Sequence, residues 1–252
     1  MFSIDLGQWD GFLYQIRHHM ATKDISTFMS WSIIQGTMIS GIDEVEVQHL
    51  KKNWSYWEDK VIETRLKPNS HYLISKSSTN NLHHAYSLQI LMDNLGIQLS
   101  NLKMITEFGG GYGNTARLVK MCGFNGEYTI YDIPELSEIQ KYYLHNNNIE
   151  NIHFLNFPES ITDVSNESLF LALWSLTETP VYSREVYIDS LKFMKHDYVF
   201  MAMGEQFHNE NNMMWLKNEI IPLMEKNSYE CKIIKIEHGN GMYYFAAKKI
   251  KK

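Results

Sequence analysis

The stretch from Met104 to Pro134 constrains the fold of this chain more than any other part of the sequence. It opens with a short apolar run that ends on Glu107. Three alternating glycines come next, namely Gly109, Gly111 and Gly113. A helical pattern follows, and a second β-rich run then ends on Asp132. Strand, glycine-rich turn, helix, strand and acid in this order predict the first βαβ unit of a parallel sheet.

The predicted unit favours a ligand that carries a nucleoside. Glycines leave no Cβ in the way, so that a ligand can approach the backbone. The helix that follows offers unpaired N–H groups at its N-terminus, which suit a carboxylate or a phosphate. Asp132 stands at the end of the second predicted strand, where an acid accepts ribose hydroxyls in doubly wound folds.

The glycines alone leave more than one nucleoside ligand open. The dinucleotide fingerprint G-x-G-x-x-G/A is satisfied from Gly111 if Ala116 occupies its last position, so a Rossmann oxidoreductase that binds NAD is one alternative. A non-catalytic protein that uses the same fold to bind a partner is another. The intact glycines and Asp132 argue against the second alternative, because a fold without a ligand need not keep them.

The spacing Glu107-x-Gly109-x-Gly111-x-Gly113 resembles motif I of class I S-adenosylmethionine-dependent methyltransferases. Three further segments extend the resemblance to the sugar O-methyltransferase family, namely 131–136 (YDIPEL), 140–144 (QKYYL) and 169–180 (LFLALWSLTETP). The similarity covers the chain from Leu102 to its C-terminus. It implies S-adenosylmethionine as the cofactor and a hydroxyl of a sugar or glycan precursor as the methyl acceptor.

Alternating β and α patterns from Leu102 onward predict a doubly wound, Rossmann-like α/β fold with a seven-stranded sheet. The strands are predicted near 103–108, 127–132, 151–155, 168–174, 197–203, 230–237 and 241–248. The helices between them are predicted at 113–122, 135–147, 183–194 and 210–227. Asn240-Gly241 predicts a tight turn between the last two strands, and therefore the closing antiparallel hairpin that the resemblance implies. We place the methyltransferase domain at 101–252.

Residues 1–100 are predicted to form a helical extension that acts as a lid over the acceptor pocket. Apolar residues recur at helical spacing between 1 and 66, and a polar loop is expected at 71–81. His83 and His84 begin the next helix. Because they are adjacent they point about 100° apart and cannot face one metal ion together, although one of them could contact the substrate.

The composition of the chain limits which kinds of binding partner and which cellular compartment we expect. A net charge of −6 argues against nucleic acid, and no window approaches the apolar length of a membrane span. With two cysteines and no visible signal peptide, we expect free thiols and a cytoplasmic protein. The expected partner is a small-molecule acceptor, and a homo-oligomer is left open.

Ligands of open α/β sheets bind beyond the carboxyl ends of the strands, so the candidate site residues follow the predicted strands. The candidates for cofactor binding are Glu107, Gly109, Gly111, Gly113, Asp132, Ile133, Asn156, Phe157 and Trp174. Transfer to an alcohol also benefits from a general base. The candidates, in order of preference, are His238, His208 and Glu178, with Glu178 also suited to orienting the acceptor. No carboxylate spacing indicates a metal, so none is expected.

Overall fold

The computed structural model describes residues 9–39, 44–63, 66, 74 and 76–250. A seven-stranded sheet with the order β3-β2-β1-β4-β5-β9-β8 forms the centre of the molecule. Its strands are β1 (Met104–Phe108), β2 (Glu127–Tyr131), β3 (Ile152–Leu155), β4 (Ser168–Leu173), β5 (Tyr198–Gly204), β8 (Tyr229–Lys235) and β9 (Met242–Lys249). A separate two-stranded hairpin consists of β6 (Gln206–Phe207) and β7 (Glu210–Asn211).

Helices cover the sheet and precede it. In the described residues five α-helices lie before the first strand, namely α1 (Trp9–Thr22), α2 (Ser32–Thr37), α3 (Glu44–Lys51), α4 (Trp54–Trp57) and α5 (Thr79–Leu95). Within the sheet region lie α6 (Asn114–Met121), α7 (Pro134–Asn146), α8 (Val181–Ser190), α9 (Asn212–Trp215) and α10 (Ile221–Lys226). In the described part of the chain, no helix combines the length and apolar character that crossing a membrane requires.

The predicted fold class is confirmed by the sheet topology. Strands β1 to β5 pair in parallel, whereas β9 is antiparallel to both of its neighbours, β5 and β8. The dinucleotide-binding Rossmann fold has six parallel strands in the order 3-2-1-4-5-6. The antiparallel strand inserted beside β5 therefore distinguishes this sheet from that of an NAD-binding oxidoreductase.

Two local features depart from the predicted pattern. The β6–β7 hairpin occupies a stretch that was predicted as loop and helix start, and it is only two residues deep on each side. The helix predicted at 210–227 is instead divided by a π-helical segment, Leu216–Ile220. Pro222 lies two residues after that segment, and because proline lacks an N–H group the regular α-helical hydrogen-bond ladder is interrupted there.

The N-terminal helices share one hydrophobic core with the sheet. Phe28, Trp31 and Trp57 are fully buried, and they belong to the same cluster as Ile105 of β1 and Ile130 of β2. Of the predicted polar loop at 71–81, residues 71–73 and 75 lie outside the described residues, and Thr79 already begins α5. The boundary predicted near residue 101 therefore falls inside a continuous core, and the N-terminal helices contribute directly to the stability of the sheet.

Candidate active site

A cavity of about 500 Å³ lies beyond the carboxyl ends of β1, β2 and β4. Its walls come from both the sheet region and the N-terminal helices. The glycine turn, the end of β2 and the end of β4 contribute Glu107–Tyr112, Thr115, Tyr131–Leu136, Phe157, Leu173–Ser175, Glu178, Thr179 and Tyr187. The N-terminal region contributes Trp9, Leu13, Arg17, Gly36–Ile39, Asn80, His83 and His84. The cavity is therefore enclosed on one side by elements that precede the sheet.

The glycine turn lies close to the residues that follow β4, and this close approach is possible because glycine has no side chain. Gly109 has φ of +69°, and a Cβ at this position would collide with the Cβ of Ser175. The Ser175 hydroxyl donates to the carbonyl oxygen of Phe108 at 2.5 Å, and this bond fixes the approach. Gly113 has φ of +99° and stands immediately before α6. Both glycines are in the left-handed region that residues with a Cβ rarely adopt.

Asp132 is held by three protein donors at the end of β2. Its carboxylate accepts hydrogen bonds from the Ile133 N–H at 2.8 Å and from the Gln140 side-chain amide at 2.7 Å. The backbone N–H of Gly110 is the third donor. Burial nevertheless raises the pKa of Asp132 to about 7. An ionised carboxylate offers about four acceptor positions, so Asp132 retains capacity for a ligand hydroxyl.

Glu107, the last acid of β1, is a second buried carboxylate in the same wall. It is 1% exposed and accepts a hydrogen bond from the Tyr128 hydroxyl at 2.8 Å. Burial and the nearby charge of Asp132 raise its pKa to about 7, while hydrogen bonds from Tyr128 and Thr115 act in the opposite direction. No cation from the described residues pairs with it. A ligand that brings a positive charge or donors would favour the ionised form of this carboxyl.

Glu178 faces the cavity from the turn that follows β4. The turn is a single 3₁₀ segment, Leu176–Glu178, and the buried guanidinium of Arg184 fixes it by donating to the carbonyl oxygens of Thr177 and Thr179 at 2.9 and 2.8 Å. Burial raises the pKa of Glu178 to about 7, and a hydrogen bond from the Trp9 side chain partly opposes that shift. The carboxyl is thus rigidly placed and titrates near neutral pH.

Helix α1 is connected to the far side of the cavity by an ion pair. Arg17 Nε lies 2.6 Å from Glu135 Oε1, so α1 is attached to the start of α7. The other carboxylate oxygen of Glu135 is buried and makes no hydrogen bond with the described residues. Together with the bond between Trp9 and Glu178, this pair holds α1 across the opening at two points.

Two of the three predicted general bases, His238 and His208, lie outside the cavity lining. His238, in the turn between β8 and β9, places Nε2 at 2.8 Å from Glu46 Oε1 of α3, and it does not line the cavity in the described part of the chain. His208 is exposed in the turn of the β6–β7 hairpin and is likewise outside the lining. Of the three predicted bases, Glu178 is the one that the structure brings to the cavity.

Most predicted cofactor residues meet at the cavity. Glu107, Gly109, Gly111, Asp132, Ile133, Phe157 and Trp174 all line it. Gly113 and Asn156 do not, and each supports a residue that does. The Asn156 side-chain amide donates to the backbone oxygen of Asp132 and to the Ser137 hydroxyl, at 2.7 and 2.8 Å. The Trp174 indole donates to Nε2 of His83 at 3.1 Å, which fixes its ring at the cavity wall.

Several cavity residues were not among the sequence-based candidates. Trp9, Arg17 and Glu135 lie on helices whose amphipathic patterns gave no reason to select them. Gln140, which donates to Asp132, is a polar residue on the buried face of α7. A polar residue among apolar positions of a helix is unusual, and this was the sequence feature that could have identified it. The described residues contain no group of three His, Cys, Asp or Glu side chains that could hold a metal ion.

No protein-family model and no curated protein sequence matches the chain. Its structure is similar to the methyltransferase domain of bacterial CtHen1-CN, with a TM-score of 0.50, 14% identity, and coverage of 66% of this chain and 97% of that chain. The glycopeptide N-methyltransferase MtfA complexed with sinefungin gives a TM-score of 0.48 at 7% identity, covering 67% and 87%. A SAM-dependent methyltransferase from Aquifex aeolicus gives 0.46 at 14% identity, covering 65% and 89%.

The first of these likenesses and the sheet order together define the class of fold. The chain has the Rossmann-like methyltransferase fold, with an antiparallel strand inserted into a parallel sheet and additional N-terminal helices. An enclosed cavity with buried carboxylates lies at the ligand-binding edge of that fold. The particular chemistry of this site is argued from its own residues below.

Proposed function

We propose that the protein is an S-adenosylmethionine-dependent methyltransferase. The observation that carries this proposal is the meeting of the glycine turn, Glu107 and Asp132 at one enclosed cavity. A class I cofactor needs close backbone contact and an acid for its ribose, and both are present. The antiparallel β9 beside β5 argues against the dinucleotide-binding alternative.

The orientation of the cofactor follows from the chemistry of each wall. Three protein donors leave one acceptor position of the Asp132 carboxylate free, and there it accepts a hydrogen bond from a ribose hydroxyl. Ile133 and Phe157 provide apolar surface beside it, which suits the adenine ring. The methionine moiety lies along the glycine turn, where its ammonium would compensate the buried carboxylate of Glu107.

The acceptor we propose is a small molecule that presents a hydroxyl, with a sugar or glycan precursor as the favoured class. Helix α1 and residues 36–39 cover the cavity, which limits the size of what can enter. The indoles of Trp9 and Trp174 offer apolar faces for the C–H side of a sugar ring, and the carboxylates accept hydrogen bonds from its hydroxyls. A net charge of −6 also favours a neutral acceptor over a nucleic acid.

Glu178 is the proposed general base. In the transfer, the acceptor oxygen forms a bond to the methyl carbon as the carbon–sulfur bond breaks, and the hydroxyl proton passes to the Glu178 carboxylate. The bond from Trp9 and the Arg184-held turn position that carboxylate before the acceptor arrives. A base with a pKa close to the working pH is effective for such a proton transfer, and the pKa of Glu178 is about 7.

The first experiment is calorimetric titration of the purified protein with S-adenosylmethionine, S-adenosylhomocysteine and NADH. We expect binding of the first two and none of NADH. Mass spectrometry of any copurifying small molecule, followed by methyl-labelled turnover with a panel of sugar nucleotides and free sugars, then tests the acceptor class. Tight NADH binding would overturn the cofactor assignment. Cofactor binding without turnover of any hydroxyl acceptor would favour a non-catalytic binding protein.

A further inference from the structure

His83 and His84 are adjacent on α5 and both line the cavity, but their hydrogen bonds differ. Both ring nitrogens of His83 are occupied, since Nδ1 lies 3.0 Å from the Glu46 carboxylate and Nε2 accepts from Trp174. His84 uses only Nδ1, which lies 3.1 Å from the side-chain amide nitrogen of Asn114. His84 Nε2 makes no hydrogen bond in the described part of the chain, and it is not among the fully buried polar atoms that lack a partner, so it keeps accessible surface.

The partners of Asn114 fix the tautomer of His84. The Asn114 side-chain oxygen accepts from the Tyr143 hydroxyl at 3.2 Å and from Arg117 Nε at 3.4 Å, so its nitrogen is the atom that faces His84. An amide nitrogen can only donate, and His84 Nδ1 must therefore accept. The remaining proton of a neutral ring is then on Nε2. The imidazole consequently offers one N–H donor to the cavity.

The surroundings of His84 keep the ring neutral. Burial lowers its pKa to about 3, and the neighbouring His83 and Arg117 act in the same direction. Because the ring does not become charged at neutral pH, it recognises its ligand as a hydrogen-bond donor and not as a cation. A donor of this kind, inside a cavity, is matched by an anionic acceptor such as a carboxylate.

Thr115 places this donor at one end of the cavity. Its hydroxyl donates to the Glu107 carboxylate, and its oxygen lies 3.2 Å from His84 Nδ1. Thr115 therefore contacts both His84 and Glu107 beside the glycine turn. A donor and a buried carboxylate side by side match the carboxylate and the ammonium of an amino acid.

We propose that His84 Nε2 donates a hydrogen bond to the carboxylate of the cofactor's methionine moiety, an assignment that rests on the proposed function. His84 thereby selects a cofactor with an intact amino-acid end. It comes from α5, before the first strand of the sheet, so the N-terminal helices supply part of the cofactor site as well as its cover.

The test compares S-adenosylmethionine with decarboxylated S-adenosylmethionine by calorimetric titration. The two ligands share the sulfonium, the ammonium and the adenosine, and they differ only in the carboxylate. The wild-type protein should prefer the intact ligand by roughly tenfold to hundredfold. In His84→Asn, whose amide keeps a partner for Asn114 but does not reach the ligand, the preference should shrink by about tenfold. His84→Gln, which carries a nitrogen close to the position of Nε2, should recover part of it.

Binding of 5′-methylthioadenosine, which lacks the whole amino-acid end, serves as the internal control and should be unchanged in His84→Asn. If that variant does not fold, His84→Leu gives the same comparison with a side chain of similar volume. A preference for the carboxylate that stays within about twofold of wild type in a folded variant would overturn the role of His84 and leave the cofactor assignment standing. Failure of the wild-type protein to bind either ligand would overturn both.

Discussion

The side-chain amide nitrogen of Gln140 lies 2.7 Å from the carboxylate of Asp132 and 3.0 Å from the carbonyl oxygen of Gly111. One side chain of α7 thus joins the proposed ribose acid to the glycine turn. Gln140 is fully buried, and within the described part of the chain its own side-chain oxygen has no hydrogen-bond partner. Gln140 therefore adds a second link between Asp132 and the glycine turn, beside the hydrogen bond from the Gly110 N–H to Asp132.

Gln140→Leu should weaken cofactor binding about tenfold. Asp132 loses one of its hydrogen-bond donors, and the Gln140 link between Asp132 and the carbonyl oxygen of Gly111 is lost. Calorimetric titration with S-adenosylhomocysteine provides the measurement. The matched control is Gln98→Leu, which lies outside the cavity lining. Equal affinities in Gln140→Leu and in the control would contradict the positioning role.

Asp132→Ala should reduce cofactor affinity by roughly tenfold to hundredfold, since hydrogen bonds to a charged group contribute about 1.5–3 kcal/mol each. The exposed Asp163 gives a control substitution of the same type, Asp163→Ala, that should leave affinity unchanged. The same titration measures both variants. An Asp132 variant that binds as tightly as wild type would remove the carboxylate from the cofactor site.

Methyl transfer should accelerate as pH rises through about 7, because a base must lose its proton before it can accept another. Glu178→Gln should lower turnover by roughly 10²–10⁴-fold and abolish this dependence. The Trp9 bond lowers the pKa of Glu178, so Trp9→Phe should move the midpoint of the profile to higher pH. A profile of the Glu178 variant that matches wild type would exclude it as the base.

His238→Ala should leave turnover within about threefold of wild type while lowering stability by roughly 1–3 kcal/mol, the cost of losing a partner of a buried acid. The acid is Glu46, which also faces His83. Urea unfolding and steady-state turnover under saturating cofactor are the two measurements. A collapse of turnover with unchanged stability would return His238 to the role of base. The exposed His208→Ala serves as the control.

The stability of the ligand-free protein should fall as pH rises from about 4 to about 7, because the folded state raises the pKa values of three carboxyls, those of Asp132, Glu107 and Glu178. The pKa values of Asp132 and Glu107 are raised from 3.8 and 4.5 to about 7, so in this range the folded state holds protons that the unfolded state has released. Above the folded pKa the contribution levels off. The measured quantity is the difference between wild type and Asp132→Asn in urea unfolding at pH 5 and pH 7.5.

The ligand should reverse this trend, since donors and an ammonium favour ionised carboxylates. The increase in Tm on adding S-adenosylmethionine is therefore expected to be larger at pH 8 than at pH 6. In Asp132→Asn the two increases should become more alike. A wild-type increase that is the same at both pH values would show that these carboxyls do not respond to the ligand.

The lid hypothesis requires a finer test than removal of the N-terminal helices. Phe28, Trp31 and Trp57 are fully buried in the core that also holds the sheet, so deleting residues 1–66 would remove part of that core. Arg17→Gln together with Trp9→Phe instead detaches α1 at its two polar contacts. We expect a raised KM for the acceptor with little change in cofactor affinity, measured by steady-state kinetics and titration.

The sequence by itself determined the order of strands and helices, the glycine turn and the position of Asp132. These features depend on local backbone chemistry. Alternating apolar runs predict strands, a glycine is needed where φ is positive, and the residue after a strand lies at the edge of the sheet. For this reason the predicted strand bounds agree with the observed ones within about two residues, and most cofactor candidates meet at one cavity.

Only the tertiary structure decided which titratable side chains reach that cavity. His238 and Glu46 are 192 positions apart in the chain, and their bond turns the imidazole away from a ligand-facing role. The pairs Trp9–Glu178 and His84–Asn114 also join residues that are far apart in the sequence, so no local sequence pattern predicts them. Such pairs form because the packing of α1, α3 and α5 buries polar groups from distant parts of the chain next to one another, and a buried polar group without a partner is costly.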